Sequence, residues 1–361
     1  MFITFIVFFA IIALLVLVHE LGHFLAARKH GVKVEEFGFG FPPRLFGIKK
    51  GETLYSFNLL PFGGFVKIFG EDSSFSNDPR SFASRSISQR VSILVAGVFF
   101  NLILAFLLFS VVIGIGMPVD ASDPLLGARV RDPRITIVNV MPGSVAKQAG
   151  LEIGDILVEF RATGDVLRPT AIRDIQDFTK SHQAETVNIE VLRDGRALAL
   201  SVLLPGTEEP GRGILGIAMA NIGILQEPWY RAPWSGLEMT IATFAGTIRG
   251  LATLVTMLFS GDSVRGLISG PVGIFSIVGS SIQFGPSFLI ILVAILSVNL
   301  ALINLIPFPA LDGGRLLFLA IEGVRGRAIN QKVSNFAHVL GFAILILLMI
   351  IITYYDVKLR L

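Results

Sequence analysis

Four stretches of the chain are too long and too uniformly apolar for helices of a soluble protein. Residues 2–18 carry no charge and their helical pattern runs on to about Ala27. Residues 91–119 and 266–311 are charge-free, and Val333 to Tyr355 holds only His338 as an ionisable group before its closing tyrosines. About 20 apolar residues cross the hydrocarbon core of a bilayer. The pattern therefore predicts four transmembrane helices, at roughly 2–26, 92–116, 287–307 and 335–354. Between the second and third, residues 123–222 break into short apolar runs separated by glycine turns, as in a soluble domain. Trp234 to Ser260 is amphipathic, interrupted by Glu238 and Arg249 and preceded by Trp229. Tryptophan favours the membrane interface, so this segment reads as an interfacial helix; a fifth span would invert the third and carry Asp312 away from His19. The expected organisation is 1–122 (first two spans), 123–222 (soluble domain), 223–285 (amphipathic linker) and 286–361 (last two spans).

Composition agrees with this division and narrows it. The chain is 53% hydrophobic and 16% charged over 361 residues, against about 45–50% and 25% for a soluble domain. An ordinary cytosolic enzyme and a disordered chain are thereby disfavoured. A net charge of only +3 argues against a nucleic-acid binder. There is no cysteine, so disulfides, thiolate metal sites and a cysteine nucleophile are ruled out. The first apolar stretch lacks a basic n-region and a small-residue cleavage site, so it is expected to remain as a span. Ten Lys and Arg side chains crowd residues 28–90, and Arg315, Arg325, Arg327 and Lys332 follow the third span. The positive-inside rule puts both loops in the cytoplasm, with the N-terminus and the soluble domain outside. Lys358 and Arg360, at the outer C-terminus, depart from the rule.

Candidate chemistry lies at the edges of the spans. His19-Glu20-Leu21-Gly22-His23 closes the first. Residues four apart share a helix face. Two imidazoles there can hold one Zn²⁺, with the intervening glutamate as general base. Chance HExxH sequences occur on solvated helices, but a carboxylate and two imidazoles on an apolar helix are costly to keep there. A catalytic zinc usually has three protein ligands. Asp312, in Asn304-Leu-Ile-Pro307-Phe-Pro309-Ala-Leu-Asp312-Gly313-Gly314, lies at the matching cytoplasmic depth. It either supplies that ligand or caps an interfacial turn. Asn101 is a polar group in an apolar span, equally suited to helix packing and to substrate contact. His30, His182 and His338 lack any partner pattern and read as structural.

Together these segments resemble the site-2 protease family of intramembrane zinc metalloproteases, most closely its bacterial RseP-type branch. HExxH and NxxPxPxLDGG are the paired signatures. Gly97-Val-Phe-Phe-Asn101, Pro61-Phe-Gly-Gly-Phe-Val-Lys67 and Ser269-Gly-Pro-Val-Gly273 match further family elements in the same order. The resemblance implies one Zn²⁺ on His19, His23 and Asp312, with Glu20 activating water and Asn304 orienting substrate or stabilising the oxyanion. It implies substrate contacts at Asn101, Gly63, Gly64 and Phe65. Residues 31–69 would be a membrane-reentrant β-hairpin, with strand candidates around Phe37–Phe41 and Leu54–Asn58 and a turn at Lys49–Gly51. Its strand edge would capture unwound substrate; periodicity alone leaves a plain cytoplasmic hairpin equally open, and the resemblance favours capture.

The soluble segment resembles a circularly permuted PDZ domain. Pro142-Gly-Ser-Val-Ala146 would start a short helix, Asp194-Gly195 a hairpin turn, and 171–180 a helix. Gly213, Gly216 and Ile217 would line a site for peptide C-termini. The equally open alternative is a wall that only excludes bulky substrates. There is room for one such domain, whereas RseP of enteric bacteria has two. The expected fold is thus a polytopic α-helical membrane protein with four transmembrane helices, a reentrant β-hairpin and one α+β PDZ domain, in the bacterial plasma (inner) membrane amid its lipids. The expected activity is regulated intramembrane proteolysis of single-pass proteins, such as anti-sigma factors or remnant signal peptides, after a prior extracytoplasmic cut. A catalytically inactive PDZ scaffold and a zinc transporter are the competing readings. The intact ligand set counts against the first and the lack of inverted repeats against the second.

Overall fold

The structure is a computed structural model that describes residues 1–71, 77–122, 126, 129–141, 143–193, 195–206, 213–261, 269–327 and 329–358. Two compact units emerge: Met1–Val112 with Trp229–Leu361, and Ile113–Pro228.

In the first unit the apolar runs become long helices. These are α1 (Phe2–Lys29), α2 (Ile87–Ile115), α5 (Ala232–Ser260), α7 (Pro286–Leu305) and α9 (Gln331–Lys358). Each is long and apolar enough to cross a membrane. The sequence predicts four such helices; the fifth is α5, the segment expected to lie at the interface. Glu238 and Arg249 are the only charged side chains in its 29 residues, which leaves it apolar enough to qualify by composition. It packs on α7, where Thr247 Oγ1 donates to Asn299 Oδ1 at 3.0 Å. Two shorter helices, α6 (Pro271–Gln283) and α8 (Asp312–Arg325), flank α7. Many outward side chains are exposed hydrophobics, among them Phe99, Leu107 and Val339, as a lipid-facing surface requires. The chain is a multi-pass membrane protein.

Between α1 and α2 lie β1 (Val34–Lys50) and β2 (Thr53–Ile68), paired antiparallel. The turn falls at Gly51, where the sequence predicts it, with φ +64°. Both strands are bent, and each half finds its own partner. Phe37 faces Val66 on one side and Tyr55 on the other, while Ile48 also pairs with Tyr55. The segment Gly64–Ile68 therefore forms one edge of the folded ribbon. Phe24 of α1 packs on Phe37 and Tyr55, at ring separations of 5.2 and 6.0 Å, anchoring the ribbon to the helix that carries the histidines.

The second unit contains a seven-stranded sheet. Its elements are β3 (Met117–Asp120), β4 (Arg131–Val140), α3 (Val145–Gln148), β5 (Ile156–Ala162), β6 (Asp165–Leu167), α4 (Ile172–Ser181), β7 (Thr186–Arg193), β8 (Arg196–Leu203) and β9 (Ile217–Leu225). The strand order is β3-β9-β4-β5-β7-β8, with β6 beside β5. Buried residues from the strands, from α4 and from the turn before β5 fill one core, including Ile137, Leu151, Phe160, Ile175 and Ile189. The unit extends beyond the expected 123–222 at both ends, because Met117–Asp120 pairs with Ile222–Leu225. The short helix expected after Pro142 is α3; Pro142 and Asp194 themselves lie outside the described residues.

Candidate metal and catalytic site

The HExxH histidines occupy one face of α1, and both are buried. His19 Nε2 lies 3.0 Å from Asp312 Oδ2. His23 Nε2 lies 3.1 Å from His19 Nε2 and 3.2 Å from Asp312 Oδ2. Tetrahedral ligands with bonds of about 2.0–2.1 Å to zinc sit roughly 3.3 Å apart. The three atoms thus need only a slight spread to hold one ion, and among the described residues they form the one such cluster.

Their surroundings fit a metal as well. His23 Nδ1 donates to the Ile93 carbonyl at 2.9 Å. That bond fixes the tautomer and leaves the Nε2 lone pair facing Asp312. Asn101 Nδ2 lies 3.2 Å from His19 Nδ1, while Asn101 Oδ1 is buried without a hydrogen-bond partner. A metal on His19 Nε2 leaves Nδ1 protonated and in need of an acceptor. Turning the amide over supplies the orphaned oxygen, and amide orientation is set by such networks. Ser297 of α7 donates to the Asn101 carbonyl at 2.8 Å, which ties α2 to the helix that leads to Asp312.

Two glycines make the geometry possible. A Cβ on Gly97 would stand 2.5 Å from His23 Nε2 and 2.7 Å from His19 Cε1. A Cβ on Gly313 would stand 2.1 Å from the Ile306 carbonyl oxygen. The prolines at 307 and 309 end α7, and the chain turns sharply to place Asp312 in the first turn of α8. Ala310 takes φ +80° in that turn, and its N–H donates to His338 Nδ1 at 3.1 Å.

Glu20 and Asn304 line the same cavity of about 310 Å³ as the three ligands, together with Phe65. Gly64 sits against Glu20, with its Cβ position 3.8 Å from the glutamate side chain. Gly63 lies beside Val16, one helical turn before Glu20. Of the two roles open to Asn101, packing and substrate contact, its position favours the first. It is fully buried, its amide is turned to His19, and it is not among the residues that line the cavity. Gly213, Gly216 and Ile217 belong to the other unit, where Ile217 begins β9. Residues that the sequence pattern does not single out include Ile93, which acts through a carbonyl, and Ser297; His338, read as structural, holds the Ala310 N–H. The only sequence signal for Ser297 is a small polar residue inside a charge-free run.

Comparison with known proteins shows the family. The model of peptidase family M50 matches residues 7–348. A Clostridium perfringens protein is 33% identical, over 97% of this chain and 98% of its own length. The zinc metalloprotease RasP of Bacillus licheniformis is 30% identical, over 98% of this chain and 99% of its own. The regulator of sigma-W protease RasP of Bacillus subtilis is 29% identical, over 98% of each. The chain belongs to peptidase family M50. Its activity is that of an intramembrane metalloprotease, with Zn²⁺ as cofactor.

Proposed function

We propose that the chain cuts single-pass membrane proteins within or near their transmembrane segments, on the cytoplasmic side of a bacterial plasma membrane. The observation that carries this reading is the convergence of His19, His23 and Asp312 beside Glu20 in one cavity walled by α1, α2 and α7. When bound, Zn²⁺ supplies Lewis acidity that makes water a nucleophile near neutral pH and polarises the scissile carbonyl. Glu20 takes the proton from the attacking water and returns it to the leaving amine. The Asn304 amide, lining the cavity, donates to the oxygen on which charge develops. A helix hides its peptide groups in its own hydrogen bonds, so substrate must unwind first. The edge segment Gly64–Ile68 pairs with β1 on one side, and no described strand covers the other. Phe65 and Val66 of that edge line the cavity, so strand addition there lays an extended peptide past the ligands.

Helix directions support four crossings. The site meets the C-terminal half of α1, the N-terminal half of α2 and the C-terminal end of α7. Chain leaving α2 and chain entering α7 are therefore on the same side of the membrane. A crossing by α5 would have to be undone by α6, whose 13 residues span only about 20 Å of a core about 30 Å thick. We therefore read α5 as an interfacial helix that does not cross.

We read the unit 113–228 as a PDZ-like domain outside the membrane. Strand β9 pairs with β4 along Ile217–Ile224 and with β3 only from Ile222 onward, and α4 lies near β9. The half-open edge beside α4 is where a peptide end would add, or where a bulky substrate would be stopped. The test is reconstitution with a single-pass substrate. His23→Ala and Asp312→Ala are each expected to lose bound zinc and cleavage together. Full cleavage by either variant would end this reading.

A further inference from the structure

A second cavity, of about 810 Å³, adjoins the first, and the two share Ile68, Glu71, Leu94 and Arg315 as walls. The edge strand leads from one into the other. Phe65 and Val66 face the zinc ligands' cavity, Ile68 faces both, and Lys67 and Phe69 face only the second. An extended peptide added along Gly64–Ile68 therefore has to continue into this chamber.

The charges of its walls are matched. Arg90 holds Glu322 through both guanidinium ends, at 2.5 and 3.1 Å. Arg315 pairs with Glu71 at the boundary between the cavities, and Lys67 with Glu35 at 2.9 Å. The chamber thus favours neither an acidic nor a basic ligand. What it offers is a stripe of uncharged polar groups on α9. Gln331, Ser334, Asn335 and His338 fall at i, i+3, i+4 and i+7, which is one helix face, and all four line the chamber. His338 is engaged by the Ala310 N–H. Polar residues that form one stripe on an apolar helix face water or a polar ligand, not lipid.

We propose that this chamber is a binding subsite for the uncharged polar flank of the substrate, where Gln331, Ser334 and Asn335 hydrogen-bond the extended chain beyond the scissile bond. The subsite rests on the strand-addition reading of the catalytic cavity. It places specificity outside the membrane segment: the enzyme selects a helix by the juxtamembrane chain that follows it into the chamber.

The experiment compares a reconstituted single-pass substrate carrying a Ser/Asn/Gln-rich flank with the same substrate cut back to three residues beyond the scissile bond. The wild-type enzyme is expected to favour the long substrate at least tenfold in kcat/KM. In the Gln331→Leu, Ser334→Ala, Asn335→Leu variant that ratio falls to about threefold or less, with bound zinc measured alongside. A photo-crosslinking side chain placed at Asn335 in the otherwise native enzyme is expected to capture the flank of the long substrate. Equal kcat/KM for both substrates in the wild-type enzyme overturns the subsite while leaving the protease reading intact. So does a crosslinker at 335 that captures nothing when one at Phe65 does. Failure of the wild-type enzyme to cut either substrate overturns both readings.

Discussion

Replacing Gly97 by alanine adds one methyl group and tests how tightly the ligand geometry is set. On helix propensity alone the change is favourable, by about 1 kcal/mol in a helix interior. The contacts oppose it. The new Cβ would lie 2.5 Å from His23 Nε2 and 2.7 Å from His19 Cε1, where ordinary contact begins at 3.4 Å. One or both imidazoles must retreat by about 0.9 Å, against a tolerance of about 0.5 Å for productive site geometry. Neither ring is at liberty to do so, because His23 is held by Ile93 and His19 faces Asn101. A misplacement near 1 Å costs on the order of 100-fold in rate, or about 2.7 kcal/mol. Zinc affinity is expected to fall with it. The assay is chelator competition for zinc combined with single-turnover cleavage, with helix content followed by circular dichroism. A folded Gly97→Ala enzyme that keeps both values within threefold of wild type would refute the claim that this glycine makes room for the ligands.

Other outcomes follow from the same contacts. Asn101→Leu removes the partner of His19 Nδ1 and is expected to weaken zinc binding about 10- to 100-fold; Asn101→Asp keeps an acceptor and restores most of it, and equal losses in both variants would show that only packing matters. His338→Phe removes the acceptor for the Ala310 N–H, so it is expected to lower zinc affinity through the turn that carries Asp312, read by the same competition. In the second unit, bonds from the backbone N–H of Thr170 and Ala171 and from the Thr170 hydroxyl hold Asp174 below the usual carboxylate range. A depressed pKa gives stability that is present above the unfolded value, near 3.9, and is lost as pH falls through the folded one. Hydrogen exchange at the Thr170 and Ala171 amides in the full chain is expected to lose protection only as the pH falls beneath the ordinary carboxylate range; protection that persists unchanged in Asp174→Ala would remove this cap from the account.

What could be read beforehand was local or periodic. The spacing of His19 and His23 is a property of one helix, and the apolar runs locate α1, α2, α7 and α9, although α7 is cut from its longer run by Gly285-Pro286 and Pro307. The turn at Gly51 was legible for the same reason. The roles of Gly97 and Asn101 were not, although both stood out as a motif, because each depends on the distance between α1 and α2. Nothing in a pattern of residue types says that a glycine faces an imidazole on a neighbouring helix or that an asparagine turns its back on the cavity. The double pairing of β1 was also hidden, since alternation marks a strand but not how many partners it takes. Helix α5 shows the converse limit: length and hydropathy allow it to cross, and only the directions of its neighbours argue that it does not.

The central claim is that Glu20, beside His19, His23 and Asp312, drives hydrolysis within a membrane helix. Its most direct test is to reconstitute the enzyme with a single-pass substrate and map the cut bond by mass spectrometry, in wild type, in Glu20→Gln and after chelation. The account predicts a cut within or next to the transmembrane segment in wild type, lost on chelation and restored by zinc. It also predicts no product from Glu20→Gln even though that variant retains bound zinc. Cleavage at the wild-type rate by Glu20→Gln, or a cut far outside the membrane segment, would contradict it.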